Sequence, residues 1–267
     1  MEIAAFAAPP DLATPYATSA VRVDARRHFG MAWTDLGGGS VHLLRREIAA
    51  PLLDEALRGL DDASTPAPAA KLRGCFDRLD AAVAALARNE RMHLGTSGEA
   101  AAVLVDAETT FVITCGFCRV YAGFGSRSAG DLLECITLDE TLLSEALAVA
   151  PQEAMPSILG KLRATTLGSR GALGPRRPWQ VIKHDGLETT FFLCTGVVHG
   201  SIPDVVFLPW VREALAQPDL EVAVEALWWR GHEWLVPQER EVSRSHHHYA
   251  RHAAMTLARV WRKPSIS

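Results

Sequence analysis

The segment Thr190-Phe-Phe-Leu-Cys-Thr-Gly-Val-Val-His-Gly200 begins as an apolar, aromatic run and breaks at a glycine. An apolar run of this kind, bounded by turn-forming residues, is typical of a buried strand. The strand is expected to end near Gly196, a position without the side chain that chemistry at a strand end would require. The sequence therefore predicts a buried strand that leads into a loop with no reactive group at its first turn.

Chain length and composition favour one large domain. With 267 residues and 48% hydrophobic content, the chain can bury a substantial core. We assign residues 1–267 to a single domain and expect an irregular, Pro- and Ala-rich segment over residues 1–18.

The charge balance argues against two classes of partner. A formal net charge of −4 and a pI near 6.2 give no general attraction to nucleic acid or to an acidic membrane surface. No stretch approaches the roughly 20 apolar residues needed to span a bilayer. The five scattered cysteines and a start that does not resemble a secretion signal favour reduced thiols. We therefore predict a cytoplasmic protein without a nucleic-acid or membrane partner, and leave its oligomeric state open.

Periodicity in the first half of the chain predicts strands and a pair of helices. Helical spacing extends over residues 41–60, divided near Pro51, and over residues 70–91. The predicted strands are Val21–Val23, Phe29–Thr34, Ala101–Val105, Phe111–Cys115 and Arg119–Tyr121. The last three of these are separated by short turns, which favours an antiparallel meander.

The second half alternates helical and strand patterns. Residues 179–183 and 190–194 are predicted to form a hairpin, because His184-Asp185-Gly186 is a turn-forming sequence. Helical spacing is found over 139–149, 154–163 and 206–230, the last broken near Pro218, and residues 254–261 are predicted to form a final strand. This mixture of elements favours a layered α+β fold.

Six segments occur in an order and at spacings that match a known family. They are Trp33-Thr-Asp-Leu-Gly-Gly-Gly39, Gly95-Thr-Ser97, Gly116-Phe-Cys-Arg119, Leu142-Leu-Ser-Glu-Ala146, Leu162-Arg-Ala-Thr-Thr-Leu-Gly168 and Leu193-Cys-Thr-Gly-Val197. Together they resemble the PPM-type family, the metal-dependent protein phosphatases also called protein phosphatase 2C. The resemblance implies a four-layer αββα sandwich of two mainly antiparallel sheets, each flanked by a pair of helices.

The resemblance also implies a metal site whose acids are missing here. The family binds two or three Mg²⁺ or Mn²⁺ ions, and closely spaced hard cations need several carboxylates. Only Asp35 is clearly retained, and it is followed by Leu36 where the family has glycine. The positions that correspond to the other acids, to their asparagine neighbour and to the phosphate-binding arginine are Thr18-Ser19, Phe117, Gly196, Ala253, Ala254 and Thr14.

One retained carboxylate cannot hold a dinuclear site, so the sequence predicts a pseudophosphatase that needs no cofactor. Its expected role is that of a binding or regulatory module in phospho-signalling, with a protein partner such as a phosphoprotein. The alternative is an active metal-dependent Ser/Thr phosphatase, using Mg²⁺ or Mn²⁺, in which acids from elsewhere converge on Asp35.

Two sets of residues are candidates for binding. Asp35 is the candidate metal ligand, although an acid before a glycine-rich turn also caps backbone amides. Arg170, Arg176 and Arg177 cluster in a Gly- and Pro-rich loop that could receive a phosphate or an acidic partner segment, or that is simply solvated. Asp24, Asp106 and Asp185 are interpreted as solvated loop acids.

Histidine-rich and cysteine-containing segments offer further chemistry. The run His246–His248, with His252, His232 and Glu233, is either a transition-metal site or an exposed polar loop. Cys115 and Cys118 have redox-motif spacing but are interpreted as structural thiols, because they lie at a predicted strand-to-strand turn and not at a helix start.

Two interpretations concern packing. Cys194 is predicted to be a packed residue and not a nucleophile. Trp228, Trp229 and Trp234 either fill the core or anchor a partner, and one or two of them are assigned to the core.

Overall fold

A computed structural model describes residues 2–7, 19–24, 26–35, 46–61, 64, 67–89, 98–106, 109–124, 133–139, 166–168, 179–184, 188–235, 249 and 252–261. The strands are β1 (Glu2–Ala7), β2 (Ser19–Asp24), β3 (Phe29–Asp35), β4 (Gly98–Asp106), β5 (Thr109–Cys115), β6 (Arg119–Phe124), β7 (Leu133–Cys135), β8 (Val181–His184), β9 (Glu188–Cys194) and β10 (Ala254–Trp261). The helices are α1 (Arg46–Arg58), α2 (Pro68–Asn89), α3 (Gly196–Ser201), α4 (Asp204–Leu215) and α5 (Leu220–Leu235), and a 3-10 turn (Gly59–Asp61) follows α1.

The described strands form two five-stranded sheets. Sheet A has the order β1-β10-β9-β6-β7, and sheet B has the order β2-β3-β4-β5-β8. Every recorded pairing of these strands is antiparallel.

Each sheet has an apolar outer face that is covered by helices. On sheet B, α1 and α2 supply apolar residues three or four positions apart, among them Leu53, Leu72, Phe76 and Leu79, which pack with the outward side chains of β3 such as Trp33. On sheet A, α4 and α5 pack in the same way through a separate cluster. A third cluster fills the space between the sheets. The predicted αββα architecture is therefore confirmed.

Two predicted connections are wrong, because the chain changes sheets where a hairpin or meander was expected. β8 pairs with β5 in sheet B, whereas β9 pairs with β6 and β10 in sheet A. Likewise β5 and β6 lie in different sheets, joined through Gly116-Phe117-Cys118. Facing sheets are only about 10 Å apart, so a short turn can cross between them as easily as it can reverse within one. Turn residues show where the chain bends, but not which sheet it enters.

The N-terminal segment is a second correction, since residues 2–7 form the edge strand β1 and are not irregular. β1 pairs along β10, with Glu2 opposite Arg259. Ile3 packs against the core between the sheets, and the Phe6 ring lies 5.7 Å from that of Trp228 on the helical side. The Ala-rich sequence has a weak intrinsic strand preference, so pairing and burial determine this strand.

The other predicted strands are present, and the breaks in the last helical region are as expected. α4 ends at Leu215 and α5 begins at Leu220, on either side of Pro218, and α1 continues through Pro51. The helices predicted over 139–149 and 154–163 lie outside the described residues, apart from residue 139. Among the helices that the structure describes, none is long and apolar enough to cross a membrane.

Candidate functional site

Three polar side chains lie side by side across sheet B at one end of the sandwich. Ser19 of β2 is opposite Thr34 of β3, which is opposite Glu99 of β4, and all three residues are fully buried. Ala101 and Val103, which alternate with Glu99 along β4, belong to the cluster between the sheets. The three polar side chains therefore face sheet A, and we call this region the polar end of the sandwich.

The carboxylate of Glu99 connects the two sheets. Its Oε1 accepts a hydrogen bond from the backbone N–H of Gly196 at 2.8 Å, and its Oε2 accepts one from the backbone N–H of Phe117 at 3.1 Å. Gly196 follows β9, and Phe117 lies in the crossing between β5 and β6. One buried side chain therefore holds both the start of α3 and the crossing between β5 and β6.

Two glycines make room for this carboxylate. Gly116 has a φ of 77°, and a Cβ there would lie 2.8 Å from the Cβ of Glu99. A Cβ on Gly196 would lie 2.8 Å from Glu99 Oε1 and 2.7 Å from Phe117 Cβ. Any side chain at either position would have to displace its neighbours, so the loops are shaped around Glu99.

Thr195 and His252 hold the sheet A side of the polar end. The Thr195 hydroxyl donates to the carbonyl of His252 at 2.8 Å and accepts from the N–H of Ala254 at 3.1 Å. The His252 Nδ1 lies 3.4 Å from the hydroxyl of Thr34. The end of β9 and the start of β10 are thus fixed to each other, and the imidazole reaches sheet B.

A second histidine fixes the crossing loop from the other side. Nε2 of His199, on α3, donates to the carbonyl of Phe117 at 2.6 Å. Burial lowers the pKa of His199, and the hydrogen bond to Phe117 opposes that shift only in part. The backbone of Phe117 is therefore held at its N–H by Glu99 and at its carbonyl by His199.

An ionic cluster lies beside this loop. Arg119 forms a bidentate salt bridge with Asp139, with hydrogen bonds of 2.9 Å and 2.7 Å, and its guanidinium lies 3.5 Å from the carboxylate of Asp204. The Tyr121 hydroxyl donates to Asp204 at 3.2 Å. The bonds to Asp139 raise the pKa of Arg119, whereas burial raises that of Tyr121. The cluster joins β6 to the start of α4 and holds the segment that follows β7.

The residues on either side of the predicted arginine loop contact α2, whereas its arginines lie outside the described residues. The N–H of Gly168 donates to Asp80 at 2.9 Å, and the indole of Trp179 donates to Asp77 at 2.9 Å. Leu167 bridges to Gly98, which is opposite Asp35. The segment that leads to Arg170, Arg176 and Arg177 therefore starts next to the end of β3.

The candidate metal ligands are only partly brought together. Asp35 ends β3 at the polar end, next to Thr34. His252 faces Thr34, whereas His232 stacks on Trp228 with the ring planes 14° apart. The run His246–His248 lies outside the described residues. Within the part of the chain that the structure describes, no group of three or more His, Cys, Asp and Glu side chains is arranged to hold a metal ion.

The remaining site interpretations concern cysteine and tryptophan. Cys115, Cys118 and Cys194 are buried cysteines outside any disulfide, and burial raises the pKa of Cys194. Trp228 is fully buried and donates its indole N–H to the carbonyl of Ala253 at 3.1 Å. Their interpretation as structural thiols and a core tryptophan agrees with these positions, while Trp229 and Trp234 are partly buried at the edge of the same core.

Comparison with known proteins gives a consistent result at the level of structure. No family model and no curated protein matches the sequence. The catalytic domain of the Ser/Thr phosphatase PstP, solved in complex with two manganese ions, is 19% identical, with a TM-score of 0.65, and the alignment covers 97% of this chain and 98% of that one. Stp1 of Staphylococcus aureus is 12% identical, with a TM-score of 0.65 over 97% and 94%. The PPM Ser-Thr phosphatase MsPP of Mycobacterium smegmatis is 15% identical, with a TM-score of 0.63 over 97% of each chain.

This chain has the PPM-type phosphatase fold. The positions that the sequence resemblance assigns to family acids meet at the polar end of this PPM-type sandwich. Ser19 is opposite Thr34 in the sheet, and Asp35 follows Thr34 along β3. Phe117 and Gly196 both donate their backbone N–H groups to Glu99. The residues that the matching motifs assign to one site are therefore close together in the structure, although only Asp35 among these four is an acid.

The residues that the structure describes at this end of the PPM-type fold do not by themselves supply the carboxylates of a two-metal centre. Phe117 and Gly196 offer no oxygen side chain, and Glu99 already accepts two backbone N–H bonds. The Ser19 hydroxyl has no hydrogen-bond partner among the described residues, so the residue that replaces an acid is itself unsatisfied there.

Glu99 is the residue that sequence reasoning missed. The signal was an isolated acid in the run Gly98-Glu-Ala-Ala-Ala-Val-Leu-Val105, in which every residue is buried. A charged side chain in a fully buried strand requires partners, which could have marked Glu99 as part of a site.

Proposed function

We propose that this protein is a catalytically impaired member of the PPM-type phosphatases that acts as a binding or regulatory module in phospho-signalling. The observation that carries the proposal is the position of Glu99. Its carboxylate lies where an acidic side chain at position 196 would have to go, and it ties together the two segments at which the sequence resemblance expects metal-binding acids.

The chemical argument concerns oxygen ligands. Hard divalent cations take six or more oxygen ligands, and two adjacent cations need several negative charges to offset their repulsion. At the polar end, the only described acids are Asp35 and Glu99, and the second of these is engaged by two amides. Such an arrangement supports a fold that maintains its loops through protein contacts alone.

A binding role follows if the fold is kept while the chemistry is lost. The partner we propose is a protein, such as a phosphoprotein, in the cytoplasm. Arg170, Arg176 and Arg177 are the proposed phosphate contacts, since guanidinium groups bind phosphate in a two-bonded geometry. Gly168, just before this loop, is bonded to Asp80 and lies beside the end of β3 through the pairing of Leu167 with Gly98, which supports that assignment.

The second candidate function is an active Ser/Thr phosphatase that uses Mg²⁺ or Mn²⁺. The presence of two acids, Asp35 and Glu99, near the ends of neighbouring strands favours it. This function requires Glu99 to leave its two amides and requires further acids from residues outside the described ranges.

Titration of Mn²⁺ into chelator-treated, untagged protein, beside an aryl phosphatase assay on the same sample, separates the two functions. We expect no binding at millimolar metal and no release of phosphate. Tight binding with turnover that is lost in Asp35→Ala would overturn the proposal in favour of the active enzyme. Zinc or nickel in stoichiometric amount after purification would instead support the histidine-rich run as a metal site.

A further inference from the structure

The helix α4 has three faces, and one of them is turned away from both the core and α5. Its buried residues belong to the core cluster over sheet A. Trp210 and Glu213 face α5, where both contact Arg230. Residues three, four and seven positions apart on a helix lie on one face. The third face therefore carries Val205, Leu208, Pro209 and Arg212, which we call the α4 stripe.

The α4 stripe has the composition of a contact surface. Val205 is 82% exposed, Pro209 is also exposed, and Leu208 is half-buried at the edge of the core. A solvated helix face normally carries charged or polar residues with a high helix propensity. Pro209 instead lacks the N–H that would bond the Val205 carbonyl one turn earlier, which weakens the helix. Helix propensity and core packing therefore do not account for the exposed residues of the stripe, whereas a partner surface would.

Arg212 is the one charged residue of the stripe, and no acid that the structure describes pairs with it. Its Nε is buried without a hydrogen-bond partner, and none of the ion pairs among the described residues includes it. The neighbouring cations Arg119, Arg230 and Arg259 each pair with an acid. An unsatisfied, partly buried guanidinium is costly, and a carboxylate would offset that cost. Arg212 is only half-buried, so a partner can approach it from solvent.

We propose that the α4 stripe is a docking site for a protein segment that lays apolar side chains on Val205 and Pro209 and places an Asp or Glu carboxylate on Arg212. The sign of the occupant's charge follows from the unpaired cation, because interfaces match opposite charges. Its apolar part follows from the exposed surface one and two turns before that cation. Val205 and Arg212 are about 10 Å apart along the helix, so the segment must span two helical turns. This inference goes beyond the proposed function, because it concerns a different surface and does not depend on whether the chain is catalytic.

The test begins with a phage-displayed library of random 12-residue peptides selected on the wild-type protein. Val205→Asp serves for counter-selection, because it places a charge on the stripe at a position that is too exposed to affect the core. We expect the enriched peptides to combine an Asp or Glu with large apolar residues. The best of them is synthesised with a fluorescent label, and its binding is measured by fluorescence anisotropy.

Matched variants locate the binding on the stripe. We expect Val205→Asp to weaken the labelled peptide about tenfold or more, as for a lost anchor. Val222→Asp is the control, since Val222 is an exposed valine of α5 and lies off the stripe. Arg212→Met keeps most of the apolar length of the side chain and should weaken binding about fivefold in low salt and less in high salt. Arg230→Met, which removes an arginine that already has a partner, should leave binding unchanged.

An exchange of charges tests the contact with Arg212 itself. A peptide whose acid is replaced by lysine should bind the wild type about tenfold more weakly and should regain affinity for Arg212→Glu. A purely structural role of Arg212 would weaken both peptides alike and would give no such recovery.

Four results would overturn the inference. The first two are the absence of any enriched peptide and enriched peptides that lack an acid. The third is unchanged binding to Val205→Asp, or no recovery in the charge exchange, in variants whose thermal unfolding matches the wild type. The fourth is a dimer in sedimentation equilibrium that Val205→Asp dissociates, since the occupant would then be a second copy of the chain. The Mn²⁺ titration addresses a different site, so failure of the docking site leaves the proposed function standing, and the reverse also holds.

Discussion

The Glu99 carboxylate and the Gly196 backbone N–H form a 2.8 Å hydrogen bond across the two sheets, at the position where the sequence resemblance expects a metal-binding acid. An acid at position 196 would place two carboxylates in contact. With Glu99 present, the same loop is instead held by a donor that every non-proline residue supplies. The bond therefore explains how the polar end keeps its shape with few acids.

Replacement of Glu99 by glutamine should destabilise the protein by about 2 kcal/mol, because a glutamine can accept only one of the two N–H bonds and presents its own donors to the other. Urea unfolding followed by circular dichroism would measure the change. Glu134→Gln is the matched control, since Glu134 is an exposed strand residue. Equal stability of the Glu99 and Glu134 variants would show that the two loops do not depend on the carboxylate.

The layers of the fold could be predicted because periodicity and motif order are local properties of the sequence. The helices α1 and α2 and the apolar strand β9 all follow from the spacing of apolar residues alone. The sheet assignments of β8 and β6 could not be predicted in this way. These assignments depend on pairing between segments far apart in sequence, and a turn-forming sequence carries no information about that pairing.

The sequence predicted the loss of family acids at the candidate site, but it did not predict that Glu99 would lie there. The motifs placed Phe117 and Gly196 near each other, but the loop predicted after the strand is wrong, because Gly196 begins the helix α3. Glu99 was missed because its role depends on two backbone N–H groups from another sheet and from a crossing loop. Backbone donors leave no mark in the sequence, so only the burial of an isolated acid could have pointed to it.

Stability should fall in mild acid through His199, whose pKa is lowered by burial. An unfolded histidine has a pKa near 6.5, so below about this pH the unfolded chain binds the proton more readily than the folded one. The stabilising contribution is thus present above about pH 6.5 and is lost as the pH falls through the lower folded value. We expect His199→Gln, whose amide can still donate to Phe117, to show a smaller loss of urea midpoint between about pH 7.5 and 5.5. Parallel losses in both proteins would contradict this role.

Only one thiol should react readily in the folded protein. Cys135 is exposed, whereas the other four cysteines are buried. Desolvation raises the pKa of the Cys135 thiol as well, and burial raises that of Cys75 to about 12, so accessibility decides which thiol reacts. Because the thiolate is the reactive form, Ellman's reagent at about pH 8 should modify one thiol per native chain and five in urea. Cys135→Ser should remove the native reaction. Rapid modification of a second thiol would mean that the turn carrying Cys115 and Cys118 opens to solvent.

Introduction of an acid at position 196 should be costly because of its neighbours and not because of the backbone. Gly196→Asp forces a Cβ to within 2.8 Å of Glu99 Oε1 and 2.7 Å of Phe117 Cβ. Overpacking and like-charge contact together should cost about 3 kcal/mol in the free energy of unfolding. Gly200→Asp is the matched control, since a Cβ at Gly200 has no described neighbour within 4 Å.

Coupling between positions 99 and 196 tests the same contact directly. Glu99→Ala removes the carboxylate that opposes the introduced aspartate, so the double variant Glu99→Ala/Gly196→Asp should be more stable than the sum of the two single changes predicts, by about 1 kcal/mol or more. The remaining contact with Phe117 Cβ should keep it less stable than the wild type. Chemical denaturation of the four proteins of this cycle gives the coupling energy. Additive effects would show that Glu99 does not occupy the space of an acid at position 196, and the main structural support for the pseudophosphatase proposal would then be lost.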